Sequence, residues 1–423
     1  MTSGAFRGRS RHRLGLVGLV ALVGLTLAAC AQVSGPPPRA SSPPPSSMTP
    51  SRPAPTAPMT PAPDTPFTGM AGQGLGVSPD GLVRVGLLVP LSGPAAPIGQ
   101  GLLNAAQMAA FDAADDRFVL QPYDTGGSPN GAAAAAQQAL SQGAQVLLGP
   151  LFSGSTRAVG PVAARAGVNV VAFTTDASAA GGNVYVMGYL VDDQVDRVVR
   201  FALGEGRSRF GALVPNETYG QVATNALRRQ VSARGGQLVS VQTYAPDNPD
   251  LREPARALSG ADAILIPDAG DGLRAAVNGL AYVDIDAPRT RYMGTMLWDD
   301  PGLWRESALA GGIFPAPPRD SVRRFEERYK SGFGTPPPDL AVLGYDATAL
   351  AAVLARQGGG PRFDRATLTS AAGFGGAAGI FRFRADGTVE RGLAVMEVQS
   401  NGTVAEISPA PLSFSGGGSG AGF

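Results

Sequence analysis

The strongest constraint on this chain is a repeated unit of strand, small-residue turn and helix, met first at residues 83–111, VRVGLLVPLSGPAAPIGQGLLNAAQMAAF. Val83, Val85, Leu87, Leu88 and Val89 form a short aliphatic run, as expected of a strand buried on both faces of a parallel sheet. Pro90 ends it, Ser92-Gly93-Pro94 makes a turn, and Gly99-Gln100-Gly101 leads into a helix. The spacing predicts Leu102, Leu103, Ala106, Met108, Ala109 and Phe111 on the inner side of that helix. In open α/β sheets, ligands settle beyond the carboxyl ends of strands, where helix N-termini leave free N–H groups. Ser92 and Gly93 are therefore the first candidate site, with a plain tight turn as the alternative.

The unit recurs. Strands are expected at residues 118–123, 145–148, 168–173, 210–214, 238–243, 263–266 and 291–293. Helices are expected between them, at 131–140, from the 151–156 loop to about 166, at 192–203 and from 216–220 to about 233. Others fall near 254–258 and 272–280, then at 321–329 and 340–355. Residues 379–383 and 393–398 read as a β-hairpin around Asp386-Gly387. Strands separated by helices imply parallel sheets with right-handed crossovers. So many units exceed one ordinary sheet, so the expected class is α/β with two Rossmann-like lobes.

The two ends of the chain are of another kind. Residues 1–30 read as a secretion signal, with Arg7, Arg9, Arg11 and Arg13 before a short apolar core at 14–27. The core ends in Leu27-Ala28-Ala29-Cys30, which resembles the lipobox of bacterial lipoproteins. That resemblance implies cleavage before Cys30 and lipid on its thiol. Ala31 and Gln32 follow, rather than Asp, which by the lipoprotein sorting rule implies an outer-membrane address and a periplasmic domain. Residues 31–80 form a Pro-rich tether that cannot bury a core. At about 3.1 Å per residue its Pro-rich part reaches roughly 100 Å when extended. The globular part is expected over 81–411, with a disordered tail at 412–423.

Cys30 and His12 are the only Cys and His, and Lys330 is the only lysine. The globular part therefore has no residues for Cys–His nucleophiles, Ser–His–Asp triads, His/Cys metal sites or disulfides. No enzyme activity, cofactor or metal is expected. A net charge of +1 with 16% charged residues gives no basic stripe for nucleic acid. Lys330-Ser331-Gly332 is similar to an element of penicillin-binding enzymes, but no Ser-x-x-Lys exists here, and a helix end capped by Gly332 explains it. Asp112, Asp115 and Asp116 read as a solvated helix end, and Trp298 and Trp304 as half-buried aromatics.

Several stretches together resemble the type I periplasmic binding fold, of the leucine/isoleucine/valine-binding kind. They are VGLLVPLSG, VLLGPLFSGSTRAVGPVAARAGVNVVAFTTD (146–176), LVPNETYGQVATNALRR (213–229), YMGTMLWDD (292–300) and FRFRADGTVERGLAVMEV. The resemblance implies three crossings between lobes. Lobe one would hold about 82–190 and 316–375, and lobe two about 191–315 and 376–400. It also implies a ligand cleft. Ser153 falls at the serine that holds a substrate carboxylate. Thr174 and Asp176, with Thr175 between them, fall where the family supplies a backbone carbonyl and a threonine hydroxyl. Tyr219 falls at the tyrosine that closes over the ligand. Met296 falls at the acidic residue that pairs with a substrate ammonium, and Met cannot supply that charge; Asp299 or Asp300 could substitute if the loop shifts. Asp176 also brings a negative group near the substrate carboxylate. Within this fold the lipobox, the tether and the altered ammonium site resemble the penicillin-binding-protein activators. These are outer-membrane lipoproteins that stimulate a bifunctional peptidoglycan synthase, although longer members carry an N-terminal helical-repeat domain where this chain has its tether. The resemblance implies that synthase as partner. The rival implication is a solute-binding receptor of an ABC transporter, taking an amino acid or another small polar ligand.

Overall fold

The computed structural model describes residues 80–414 apart from 246–249, 288 and 357–361. The signal, Cys30 and most of the tether lie outside the described residues, as do 415–423.

Lobe one begins with β1 (Val83–Val89), α1 (Ala96–Ala113), β2 (Phe118–Asp124), α2 (Pro129–Ser141), β3 (Val146–Leu148), α3 (Ser153–Arg165), β4 (Asn169–Ala172) and β5 (Val184–Val186). The five strands form one parallel sheet in the order β2-β1-β3-β4-β5. The aliphatic run of β1 is buried throughout except at Arg84 and sits inside the core. The chain crosses to lobe two through buried Met187, Gly188, Tyr189 and Leu190. Gly188 is required there, because a Cβ would stand 2.2 Å from the Thr174 carbonyl oxygen.

Lobe two contains α4 (Val191–Gly204), β6 (Arg209–Pro215), α5 (Thr218–Ala233), β7 (Gln237–Tyr244), α6 (Arg252–Arg256), β8 (Ala263–Leu265), α7 (Gly270–Tyr282), β9 (Arg291–Met293) and β10 (Ile313–Ala316). Side chains alternate across its sheet as the strand period demands. Phe210, Ala212 and Val214 of β6 pack under α4 and α5, while Leu213 joins Ile264, Val277 and Trp298 on the opposite face.

The chain then returns to lobe one for α8 (Arg319–Phe333), α9 (Ala341–Ala355), α10 (Arg365–Leu368) and a hairpin of β11 (Phe381–Phe383) with β12 (Val389–Arg391). It ends in lobe two with β13 (Ala394–Val398) and β14 (Val404–Ser408), which extend the second sheet to β14-β13-β10-β9-β8-β6-β7.

Four expectations change. The third crossing lies at residues 392–393 rather than near 376, because Phe381, Phe383, Val389 and Leu393 all belong to the core of lobe one. The Asp386-Gly387 turn joins β11 to β12, whereas residues 394–398 pair with β10 and β14. Phe111 is 91% exposed, since the buried stripe of α1 runs through Leu102, Ala105, Ala106, Ala109 and Ala113. The described chain reaches Phe414, inside the expected tail, and Phe414 is buried with Arg382 stacked 4.5 Å from its ring centre. Trp298 is completely buried, its indole N–H donating to the Ile266 carbonyl. Among the described residues, no helix is long and apolar enough to cross a membrane, and no group of three or more His, Cys, Asp or Glu could hold a metal ion.

Candidate functional site: the loops at the carboxyl ends of both sheets

All strands of the first sheet are parallel, so the loops after β1, β3 and β4 share one edge. The loop after β1 carries Ser92 and Gly93, both exposed, with Gly93 at φ 76°. Asp124, at the end of β2, shapes this loop: its Oδ1 accepts from the N–H groups of Leu91 (2.8 Å), Ser92 (3.2 Å) and Gly126 (2.8 Å). The Ser92 hydroxyl first, and these N–H groups with it, hold the Asp124 carboxyl below its ordinary value.

The loop after β3 runs straight into α3. The Thr156 N–H donates to the Phe152 carbonyl at 2.9 Å as the first helical bond, and no side chain caps the helix. The N–H groups of Ser153, Gly154 and Ser155 therefore have no acceptor within the helix. Phe152, just before them, is 40% exposed.

After β4, Thr174 is buried and its Oγ1 accepts from the Asp176 N–H at 3.1 Å. Thr175 is exposed. Asp176 does not present a free charge. It accepts from the Ser178 hydroxyl (2.6 Å) and N–H (3.0 Å), and it pairs with Arg157 of α3 at 2.6 Å. Ser178 first, then Arg157, lowers its pKa. The negative group expected beside a substrate carboxylate is thus neutralised by a residue that the sequence reading passed over.

From lobe two, Tyr219 opens α5 and donates its hydroxyl to Thr295 Oγ1 at 3.0 Å; burial raises its pKa. Thr295 is fully buried, and Met296 follows it. The Met296 N–H donates to Gln194 Oε1 (2.9 Å), and Gln194 Nε2 donates to the Tyr189 carbonyl (3.1 Å) on the first crossing. The Met296 side chain packs against the core of lobe one. Neither neighbouring carboxylate replaces the missing acid: Asp299 pairs with Arg319 (2.5 Å), and Asp300 accepts from the Gly302 N–H.

The structure thus places Ser92, Gly93, Ser153, Thr174, Thr175 and Asp176 along one edge of lobe one. Tyr219 and Met296 lie on the facing loops of lobe two. Asp124, Arg157, Gln194 and Thr295 are the partners that sequence reasoning missed. Asp124 alone carried a signal, as an acid ending a strand.

The hinge is held by buried charge. Arg391, the last residue of β12 before the third crossing, donates from Nε (3.2 Å) and Nη2 (2.8 Å) to the Met187 carbonyl on the first. It lies over Tyr189 and faces Asp346 of α9 at 3.8 Å. Arg384 of lobe one reaches Asp193 of α4 at 2.7 Å. Burial pushes the carboxyls of both Asp346 and Asp193 up to about 6, against the pull of their arginines.

A chain of this build has many counterparts. A branched-chain amino acid ABC transporter protein from Rhodospirillum rubrum has TM-score 0.68 at 18% identity, over 77% of this chain and 100% of that one. The binding protein LivJ of Streptococcus pneumoniae, solved with isoleucine, has TM-score 0.55 at 19% identity (78% and 100%). A solute-binding protein of Rhodopseudomonas palustris, solved with benzoate, has TM-score 0.53 at 19% identity (78% and 98%). In sequence, the Leu/Ile/Val-binding protein BraC3 of Rhizobium johnstonii is 27% identical over 180 residues, 40% of this chain and 49% of BraC3. The chain spans about half the length of the sequence relatives it matches. The model of the periplasmic binding protein family matches residues 82–403, almost the whole of both lobes. With its two α/β lobes and three crossings, this chain belongs to the periplasmic binding proteins, in their type I, leucine/isoleucine/valine-binding-like form.

Proposed function

We propose that the chain is the solute-binding component of an ABC-type transport system, held at a membrane surface in the periplasm through lipid on Cys30. Its lobes close over a small ligand that carries a carboxylate. The observation that carries this reading is the open first turn of α3, where three N–H groups at Ser153–Ser155 lack helical acceptors at the edge of the sheet. A helix N-terminus favours an anion by charge and by hydrogen bonding. Thr174 stands beside it, and Ser92 and Gly93 form the rim. Tyr219, steadied by Thr295, approaches from the other lobe. Isoleucine and benzoate, held by the two similar proteins, both bear a carboxylate. No step in this reading breaks or forms a covalent bond. The test is to unfold the purified chain, collect what it releases, and titrate candidate carboxylates into the refolded protein by calorimetry. Release of a small acid and binding weakened by Ser153→Ala support the reading. No released molecule and no binding refute it.

One observation favours the activator reading as a second possibility. On the outer face of lobe one, Phe111 is 91% exposed and Phe333 37% exposed, beside Met108 and Arg328, which line a recess of about 430 Å³. A protein partner such as a bifunctional penicillin-binding protein would cover such a face. Stimulation of peptidoglycan synthesis in vitro by the full chain, lost in Phe111→Ser, would establish that role.

A further inference from the structure

We infer that the cleft takes a carboxylate with an apolar body and no ammonium group, and that it discriminates against free α-amino acids. This rests on the receptor reading above. Among the described residues, the carboxylates on the loops at the carboxyl ends of both sheets are committed or solvated, Asp250 being paired with Arg252 and Glu306 with Arg274. Asp124 is used by three backbone N–H groups. Asp176 is held by Arg157 and Ser178, and Asp299 by Arg319. Asp268 accepts from the Tyr244 hydroxyl on one oxygen and the Ala269 N–H on the other. Asp300 turns back onto the Gly302 N–H. Glu217 is exposed to solvent at the start of α5. A solvated carboxylate returns little of what an ammonium loses on leaving water, and a committed one cannot serve it without breaking its own bonds.

What the loops offer instead is apolar. Met296 already lies on the core of lobe one, and its neighbour Leu297 is 40% exposed. On lobe one Phe152, also 40% exposed, immediately precedes the open turn of α3. An anion at that turn would lie next to Phe152, with Met296 and Leu297 supplied by the loop after β9 of lobe two.

Matched pairs that differ only in the amino group provide the test. The full chain, unfolded and refolded to remove any resident ligand, is titrated by calorimetry with 4-methylpentanoate against leucine and with 3-phenylpropanoate against phenylalanine. The expected result is that at least one acid binds tenfold or more tightly than its amino counterpart. Met296→Glu should reverse that preference, and Met296→Gln, which keeps the size without the charge, should not. Amino acids binding as well as or better than the acids would overturn the inference and leave the receptor reading standing. Binding of none of the four by a chain with native circular dichroism would overturn the receptor reading and the inference together.

Discussion

Replacing Arg391 by Met should destabilise the protein much more at pH 7.5 than at pH 5. The Arg391 side chain is 1% exposed and Asp346 is 0% exposed, with 3.8 Å between Nη1 and Oδ2. That is an ion pair without a hydrogen bond across the gap, so both of these atoms lack a hydrogen-bond partner. Burial raises the Asp346 carboxyl from 3.8 to about 6, while Arg391 pulls it down. Folding of the wild type therefore takes up a proton between those values. At about 1.36 kcal/mol per unit, stability falls by about 3 kcal/mol as pH rises from 3.8 through 6, and is flat above. Without Arg391 that pull is lost and the carboxyl rises further in the fold. The cost then keeps growing above pH 6, at about 1.36 kcal/mol per unit for as long as the carboxyl stays protonated. The difference between variant and wild type from this source is at most about 2 kcal/mol at pH 7.5 and near zero at pH 5. A pH-independent loss from the contacts with Tyr189 and the Met187 carbonyl adds to both. Asp346→Ala is the control: an arginine cannot shed its proton, so the uncompensated guanidinium should cost about 3–5 kcal/mol at either pH. Urea unfolding of the three proteins at pH 5 and pH 7.5 measures all four differences. Equal losses for Arg391→Met at both pH values would refute the reasoning.

The wild type itself should be more stable to urea at pH 5 than at pH 7.5. Asp193 and Asp346 both have raised carboxyl pKa values of about 6, so the stability each contributes is complete below 3.8 and lost through 6. The lowered carboxyls of Asp124 and Asp176 lose theirs only as pH falls below 3.8. Ser153→Ala should weaken carboxylate binding by roughly ten- to a hundredfold in calorimetry, the worth of a hydrogen bond to a charged group of about 1.5–3 kcal/mol, with the melting temperature unchanged. Gly188→Ala should cost about 1–3 kcal/mol in thermal unfolding, because the new methyl lies 2.2 Å from the Thr174 carbonyl oxygen and the crossing must move. Phe111→Ser should leave stability within about 0.5 kcal/mol, since the ring is 91% exposed.

The architecture was legible because each unit of this fold is written locally. A β-branched run such as 83–89 fits only a strand with both faces covered, and the small residues after it fit only a turn into a helix. What stayed hidden depends on which units meet. Residues 379–383 and 393–398 read as the two arms of one hairpin, yet the first pairs with 389–391 in lobe one and the second extends the sheet of lobe two. The apolar spacing predicts Phe111 inward, yet the buried positions around it at 105, 106, 109 and 113 leave it on the opposite side of the helix. The candidate site divides in the same way. Ser153 opens a helix directly after a strand, a pattern within reach of a few neighbouring residues. Tyr219 is steadied by Thr295, 76 positions away, and Asp176 is neutralised by Arg157, 19 positions earlier. No short local pattern, of the kind that marks a turn or a helix face, links the members of either pair. The polarity of the cleft follows from these distant pairings, because a carboxylate counts as free or committed only once its partners are known. Asp176 and Asp299 look like charges available to a ligand in the sequence. In the fold they are spent on arginines, and Met296 packs against the core of lobe one.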